Sequence, residues 1–235
     1  MEGQLAVVTG GTGELGRALV PILVQRNFKL AITYLIPEEA EMLEDLVDLD
    51  DDQWLLRRVD CTDPEALQRF MKQVGETFGD INVLCSLVGG WAGGRDVAET
   101  DDVRFDRMID LNLRSAFYTA RAAIPFMSAD WGRIITVGSR AAIDAPTGQS
   151  SYNIAKAGVI ALTRSIANEL ADTNITANAI LPAVIDTAAT RLALPYADYV
   201  DWPKPAEIAS VIDFLASPGS QVINGAAIPV YGPTA

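Results

Sequence analysis

The chain has 235 residues, 49% hydrophobic and 21% charged, enough apolar material to bury a core in one domain of ordinary globular composition. Its formal net charge of −13 sets a field that repels polyanions, so neither nucleic acid nor an anionic membrane surface is an expected partner. It contains no histidine, so the usual general base and the commonest metal ligand are missing; no metal site is expected, and Tyr, Lys, Ser or a carboxylate must carry protons.

The first predicted strand, "LAVVT" at 5–9, follows Met1 closely, with no basic n-region or small-residue cleavage site, so no signal peptide is expected. No stretch reaches the length of a membrane span, and the location expected is cytoplasmic. "TGGTGELG" at 9–16 comes next, with helical spacing over 14–26. It contains G-x-G-x-x-G as Gly11, Gly13 and Gly16, and T-G-x-x-G-x-x-G when Gly10 is counted. Such a cluster lets a strand turn tightly, brings backbone close to a pyrophosphate and aims helix N-terminal amides at it. The pattern alone is weak, but here it follows a strand and opens a helix, as dinucleotide binding requires.

The second predicted strand is "FKLAITYL" at 28–35, with a helix over 38–48. A carboxylate ending this strand would hold a ribose 2′-hydroxyl, and a base would hold a 2′-phosphate. Tyr34 stands there instead, and Glu38 and Glu39 read as the solvated first turn of the next helix. The missing acid gives a faint lean to NADP(H) over NAD(H). The third strand is "WLLRRVD" at 54–60, ending at Asp60, which reads either as an adenine-side contact or as part of a helix cap. "TDPEA" at 62–66 offers Asp63 as N-cap and Pro64 as first residue of a helix over 64–78.

The fourth strand is "INVLCSLV" at 81–88, the next helical pattern runs over 102–128, and Thr100 reads as its N-cap. Strands "GRIITVG" (132–138), "NITANAIL" (174–181) and "AAIPV" (226–230) alternate with helices over 151–171 and 206–216. Cys61 and Cys85 sit at the end of or inside apolar runs and read as inert buried thiols. Strands alternating with helices throughout predict an α/β fold: a doubly wound Rossmann fold with a seven-stranded parallel sheet, order 3-2-1-4-5-6-7, flanked by helices on both faces in a single domain. The irregular, proline-bearing stretch at about 183–205 reads as a substrate flap.

"SRAAIDAPTGQSSYNIAKAG" begins at Ser139. Tyr152 and Lys156, four apart, share one helix face, and Ser139 lies thirteen residues before Tyr152. With "TGGTGELG", "DLN" at 110–112 and "LPAVIDT" at 181–187, the chain resembles the short-chain dehydrogenase/reductase family over essentially its whole length. A phenol with an ordinary pKa near 10 is a poor base, but a nearby ammonium favours the phenolate and lowers that value. The resemblance implies an enzyme that moves a hydride between NAD(P) and a small carbonyl or secondary alcohol, with Tyr152 as general acid/base. It further implies that Lys156 holds the nicotinamide ribose, Ser139 positions the carbonyl and Asn112 supports a water-linked proton path; alternatively, Asn112 only bonds backbone.

Cofactor contacts implied by the resemblance are Gly10, Thr12, Gly13, Glu14, Leu15 and Gly16 in the turn, then Tyr34, Asp60, Cys61, Val88, Gly89 and Gly90. Tyr152, Lys156, Pro182, Ile185 and Thr187 complete them, with helix capping as the competing role for Thr187. The substrate region expected is bounded by Trp91, Ser139, Asp144, Tyr152 and the flap; Asp144 reads equally as a solvated turn carboxylate. The resemblance also implies a homodimer or homotetramer, paired through the helices over 102–128 and 151–171.

Two positions depart from the family's pattern. Glu14 stands where single-domain members usually have glycine, and so must point into solvent, and Leu87 replaces an asparagine in "SLVG" at 86–89. "VLCSLVGGWAGG" and "LPAVIDTAATRLALPYADYVDW" resemble the corresponding segments of the family's dihydropteridine reductases, in which Trp91 would stack on a flat heterocycle. A general carbonyl reductase or alcohol dehydrogenase ranks first, since Ser139 is retained and an acid near Tyr34 is absent; quinonoid dihydropteridine reduction ranks second. A non-catalytic NAD(P)-sensing protein is the third reading.

Overall fold

Alternating strands and helices leave each strand apolar on both faces, and the sheet can satisfy both only by being covered twice. In the computed structural model, which describes residues 3–198 and 201–233, seven parallel strands run in the order β3-β2-β1-β4-β5-β6-β7. They are β1 (Leu5–Thr9), β2 (Lys29–Tyr34), β3 (Trp54–Arg58), β4 (Ile81–Ser86), β5 (Gly132–Val137), β6 (Ile175–Pro182) and β7 (Ala227–Val230). Adjacent strand residues point to opposite faces: Val7, Leu84 and Ala177 join one core beneath α3 (Pro64–Phe78), α5 (Ser115–Ala123) and α7 (Ser150–Glu169). Val8, Cys85 and Ile180 join the other, beneath α1 (Glu14–Gln25) and α9 (Pro205–Leu215).

Helix ends follow local chemistry. The side chain of Asp63 accepts from the amides of Glu65 and Ala66 at 2.9 and 3.1 Å, with Pro64 at the first helical position of α3. The second helix, α2 (Pro37–Glu44), stops short of the expected residue 48, because the aspartates from Asp45 onward place negative charge at the end of the helix dipole that disfavours it. Thr100 does not cap the next helix, α4 (Asp102–Ile109). Its hydroxyl donates back to the carbonyl of Asp96 within a preceding 3₁₀ turn, and Asp101 caps instead, accepting from Arg104 N at 2.8 Å.

The single helix expected over 102–128 is broken. Residues Asp110–Arg114 form a π-helical turn between α4 and α5, and after Ala123 a 3₁₀ turn over Ile124–Phe126 ends the run. Pro125 has no N–H to continue the ladder. Two short helices complete the set, α6 (Ala141–Asp144) and α8 (Ala188–Ala193). No helix among the described residues is long and apolar enough to cross a membrane.

Candidate functional site

The carboxyl ends of β1, β4 and β5 open onto one region, and the glycine-rich turn forms its floor. Gly10 takes φ +69°, its amide donates to Thr33 Oγ1 at 3.0 Å, and the amide of Gly11 donates to the Thr33 carbonyl at 3.2 Å. A Cβ on Gly16 would lie 2.3 Å from the carbonyl oxygen of Gly11, so α1 packs on the turn at a distance only glycine permits. Gly13, the N-cap of α1, brings no side-chain hydrogen bond to the amides behind it. A helix start without a side-chain cap is an arrangement suited to phosphate oxygens.

Glu14 behaves as its position demands: half exposed, its carboxylate pairs with Arg17 at 3.4 Å. Leu87 turns its side chain into the core under α1, so that position contributes packing where the family has a polar group. Its neighbour Ser86 is left with a buried hydroxyl that has no partner among the described residues. Val88 abuts Gly10, where an added Cβ would meet Val88 Cγ2 at 3.0 Å. Asp60 is engaged in a turn, accepting from the amide and hydroxyl of Thr62 at 2.8 and 2.7 Å. Cys61 is buried under that turn with its sulfur 3.6 Å from Thr33 Oγ1, and burial pushes the thiol up to about 11.

Opposite the turn, α7 delivers Tyr152 and Lys156 to the end of β5. Lys156 is 4% exposed, donates from Nζ to the Val137 carbonyl at 2.8 Å, and lies 5.8 Å from the Tyr152 ring centroid. Burial brings its ammonium down to about 8. The Tyr152 phenol is shifted the other way from the sequence expectation: burial raises it, and a hydrogen bond with Ser139 pulls in the opposite direction. Ser139 is itself buried, at 7% exposure.

Asn112 sits in the π turn and is spent on backbone. Its Oδ1 accepts from Gly90 N at 3.1 Å, while Nδ2 donates to the carbonyls of Gly90 and Met108 at 2.9 and 3.0 Å. A Cβ on Gly89 would meet Asn112 Oδ1 at 2.9 Å and Lys156 Nζ at 3.1 Å. The loop after β4 thus packs against Asn112 and the lysine at a distance that suits glycine.

The remaining candidates divide. Trp91 is half exposed, and its indole N–H donates to the side-chain oxygen of Gln149, the residue preceding α7. Gly94 N and Arg95 N donate to the Gly148 carbonyl at 2.7 and 3.1 Å, stitching the two loops that flank Tyr152. Asp144 is paired with Arg140 at 2.7 Å, the solvated-turn alternative. The Thr187 side chain caps α8, accepting from Thr190 N at 3.1 Å, so capping is its role in this structure.

Pro182, at the buried end of β6, accepts at its carbonyl from Arg140 N at 2.9 Å. Ile185 packs partly buried against the α1 side of the sheet. Part of the expected flap, residues 199–200, lies outside the described residues; of the rest, Asp186 N donates to the Pro203 carbonyl at 3.0 Å, closing the loop on itself. An open cleft of about 620 Å³ between this loop and α1 is lined by Glu14, Arg17, Asp186, Thr187, Arg191 and Lys204.

Three residues the sequence reading passed over matter here. Thr33 braces the turn through side chain and backbone, and Gln149 holds Trp91. Glu39, read as a solvated helix residue, accepts from Thr12 Oγ1 at 3.2 Å, carrying a carboxylate onto the glycine turn. Polar side chains one turn or less from a motif were the only available signal.

The family model described as enoyl-(acyl carrier protein) reductase matches residues 12–232. The 3-oxoacyl-[acyl-carrier-protein] reductase MabA of Mycobacterium tuberculosis is 34% identical, over 96% of this chain and 90% of that protein. The 3-oxoacyl-[acyl-carrier-protein] reductase FabG of Vibrio cholerae is 30% identical, over 99% and 97%. Among solved structures, a short-chain dehydrogenase/reductase from Serratia marcescens superposes with a TM-score of 0.91 at 30% identity, covering 98% of this chain and 97% of that one. The narrower resemblance to dihydropteridine reductases finds no support among these relatives.

Proposed function

This chain belongs to the short-chain dehydrogenase/reductase family and is an NAD(P)-dependent oxidoreductase, and from that premise we propose that it reduces a carbonyl to a secondary alcohol with Tyr152 as proton donor. The observation that carries the reading is the partly buried Tyr152 phenol, hydrogen-bonded to Ser139, with the Lys156 ammonium 5.8 Å from its ring centroid. The glycine turn and the start of α1, which carries no side-chain cap, fit a dinucleotide.

When bound, reduced nicotinamide supplies the hydride to the carbonyl carbon. Tyr152 gives its hydroxyl proton to the carbonyl oxygen as that carbon is reduced, and regains one from solvent afterwards. Ser139 donates to the same oxygen and fixes its direction. Lys156, anchored on Val137, presents its remaining N–H groups to the ribose and stabilises the tyrosinate left after transfer. The Asn112 side chain holds the Gly90 backbone and so positions the loop beside Lys156.

The substrate class proposed is a 3-oxoacyl thioester, because the named relatives act on 3-oxoacyl carrier proteins. The loop over 183–205 is proposed to cover it. The same reading carries a homodimer or homotetramer, supported by the exposed apolar side chains Val103 on α4, Phe117 on α5 and Ile154 on α7. It also carries a cytoplasmic location, supported by two buried, unpaired thiols. Loss of reduced-nicotinamide absorbance on adding acetoacetyl-coenzyme A, a simple diketone or quinonoid dihydropterin tests the function. Thioester turnover well above the other two is the expected result; faster pterin turnover would reverse it, and binding of cofactor with no turnover of any would favour a sensor.

A further inference from the structure

We infer that Glu39, on α2, sets this enzyme's cofactor preference and selects NAD(H) against NADP(H); the inference rests on the reading that the glycine turn holds a nicotinamide dinucleotide. The expected position for such a residue, the end of β2, holds Tyr34, from which alone a faint lean toward NADP(H) follows; Glu39 argues for the other cofactor. Glu39 reaches the same place from the next element. Its Oε2 accepts from Thr12 Oγ1 at 3.2 Å, Thr12 is 2% exposed within the turn, and the neighbouring Gly10 and Gly11 amides are bound to Thr33 at the carboxyl end of β2. The carboxylate therefore stands at the junction of turn and β2, where the adenosine ribose of a dinucleotide lies in this type of fold.

Glu39 Oε1 has no partner among the described residues, leaving an acceptor for a ribose hydroxyl. A 2′-phosphate would bring a second negative group against it. The nearby cations offer little compensation. Arg17 is drawn to the Thr12 carbonyl and to Glu14, and residues 9–16 contain no Lys or Arg. Arg58, at the end of β3, is exposed, with its Nε donating to the Leu35 carbonyl at 3.1 Å.

The test is equilibrium titration of the full chain with NADH and with NADPH, without substrate, for the wild type, Glu39→Gln and Arg58→Gln. Wild type should bind NADH at least about tenfold more tightly. Glu39→Gln should shrink that ratio about tenfold, mainly by tightening NADPH, and Arg58→Gln should leave it within about twofold. Tighter NADPH binding by the wild type, or an unmoved ratio in Glu39→Gln, overturns the assignment of Glu39 while leaving the cofactor reading intact. Failure of the wild type to bind either dinucleotide overturns both.

Discussion

The Nζ of Lys156 donates to the carbonyl oxygen of Val137 at 2.8 Å, joining the second turn of α7 to the last residue of β5. Ser139 follows two residues beyond that carbonyl, and Tyr152 lies one turn before that ammonium. A charged group that water barely reaches therefore ties the tyrosine's helix to the serine's strand.

That burial makes Lys156 a reporter of pH. Its ammonium is brought down from 10.5 to about 8, so between those values the unfolded chain binds more protons than the folded one. Stability relative to a Lys156→Met variant should consequently rise with pH across that window, by up to about 1.4 kcal/mol per unit, and level off above it. Cys61 and Cys85, pushed up to about 11 and 12 by burial, are common to both chains and cancel in the difference. Urea unfolding of both proteins from about pH 7 to about pH 10 checks it. Parallel pH profiles would show that Lys156 does not titrate there.

Tyr152→Phe should lower turnover by about 10²- to 10⁴-fold, while cofactor affinity measured by titration stays within about twofold. Removing the hydroxyl deletes the proton donor and leaves the ring's packing in place. Turnover unchanged in this variant would remove Tyr152 from the mechanism.

Gly16→Ala and Gly13→Ala should separate two roles of the turn. At Gly16 the added carbon meets backbone at 2.3 Å, whereas at Gly13 it meets only the Gly10 carbonyl, at an ordinary 3.5 Å. The first variant should lose several kcal/mol of stability, or fail to fold. The second should unfold within about 1 kcal/mol of wild type yet bind dinucleotide less tightly, because its methyl group crowds the turn proposed to hold the phosphates. Thermal denaturation and cofactor titration on both read this out.

Much of this architecture was legible in the residues. Each strand was marked by a β-branched or apolar run between breakers, and helix spacing put Tyr152 and Lys156 on one face, while Ser139 joined them through the family resemblance. The break at Asp110–Arg114 was not legible, because a π turn adds one residue without disturbing the apolar spacing on either side. Contacts between separate elements left no periodic trace either: Glu39 reaching back to Thr12 and Gln149 holding Trp91 depend on how helices are set against the sheet. Thr187 and Asp144 were each ambiguous for the same reason, since capping and local pairing draw on the residue types a binding site uses.

Substituting Phe117 and Ile154 by Glu should convert the proposed oligomer to monomer in light scattering, without a large change in the unfolding of the single chain. Both side chains are exposed, at 44% and 51%, on helices proposed to pair, and a charge buried at such a contact without a partner is costly. A wild-type chain that scatters as a monomer at micromolar concentration would overturn the pairing itself.

Both cysteines are buried, Cys85 within β4 and Cys61 just beyond β3, with thiols that hold their protons well above neutral pH. In ordinary buffer the native protein is therefore silent toward alkylating and disulfide-forming dyes. A single cysteine introduced at Leu192, 84% exposed in α8, would become the unique attachment point on the folded chain. Two such labels, or one paired with Trp91, would turn the loop beside the cleft into an optical ruler, and its movements on adding cofactor could be followed without removing either native cysteine.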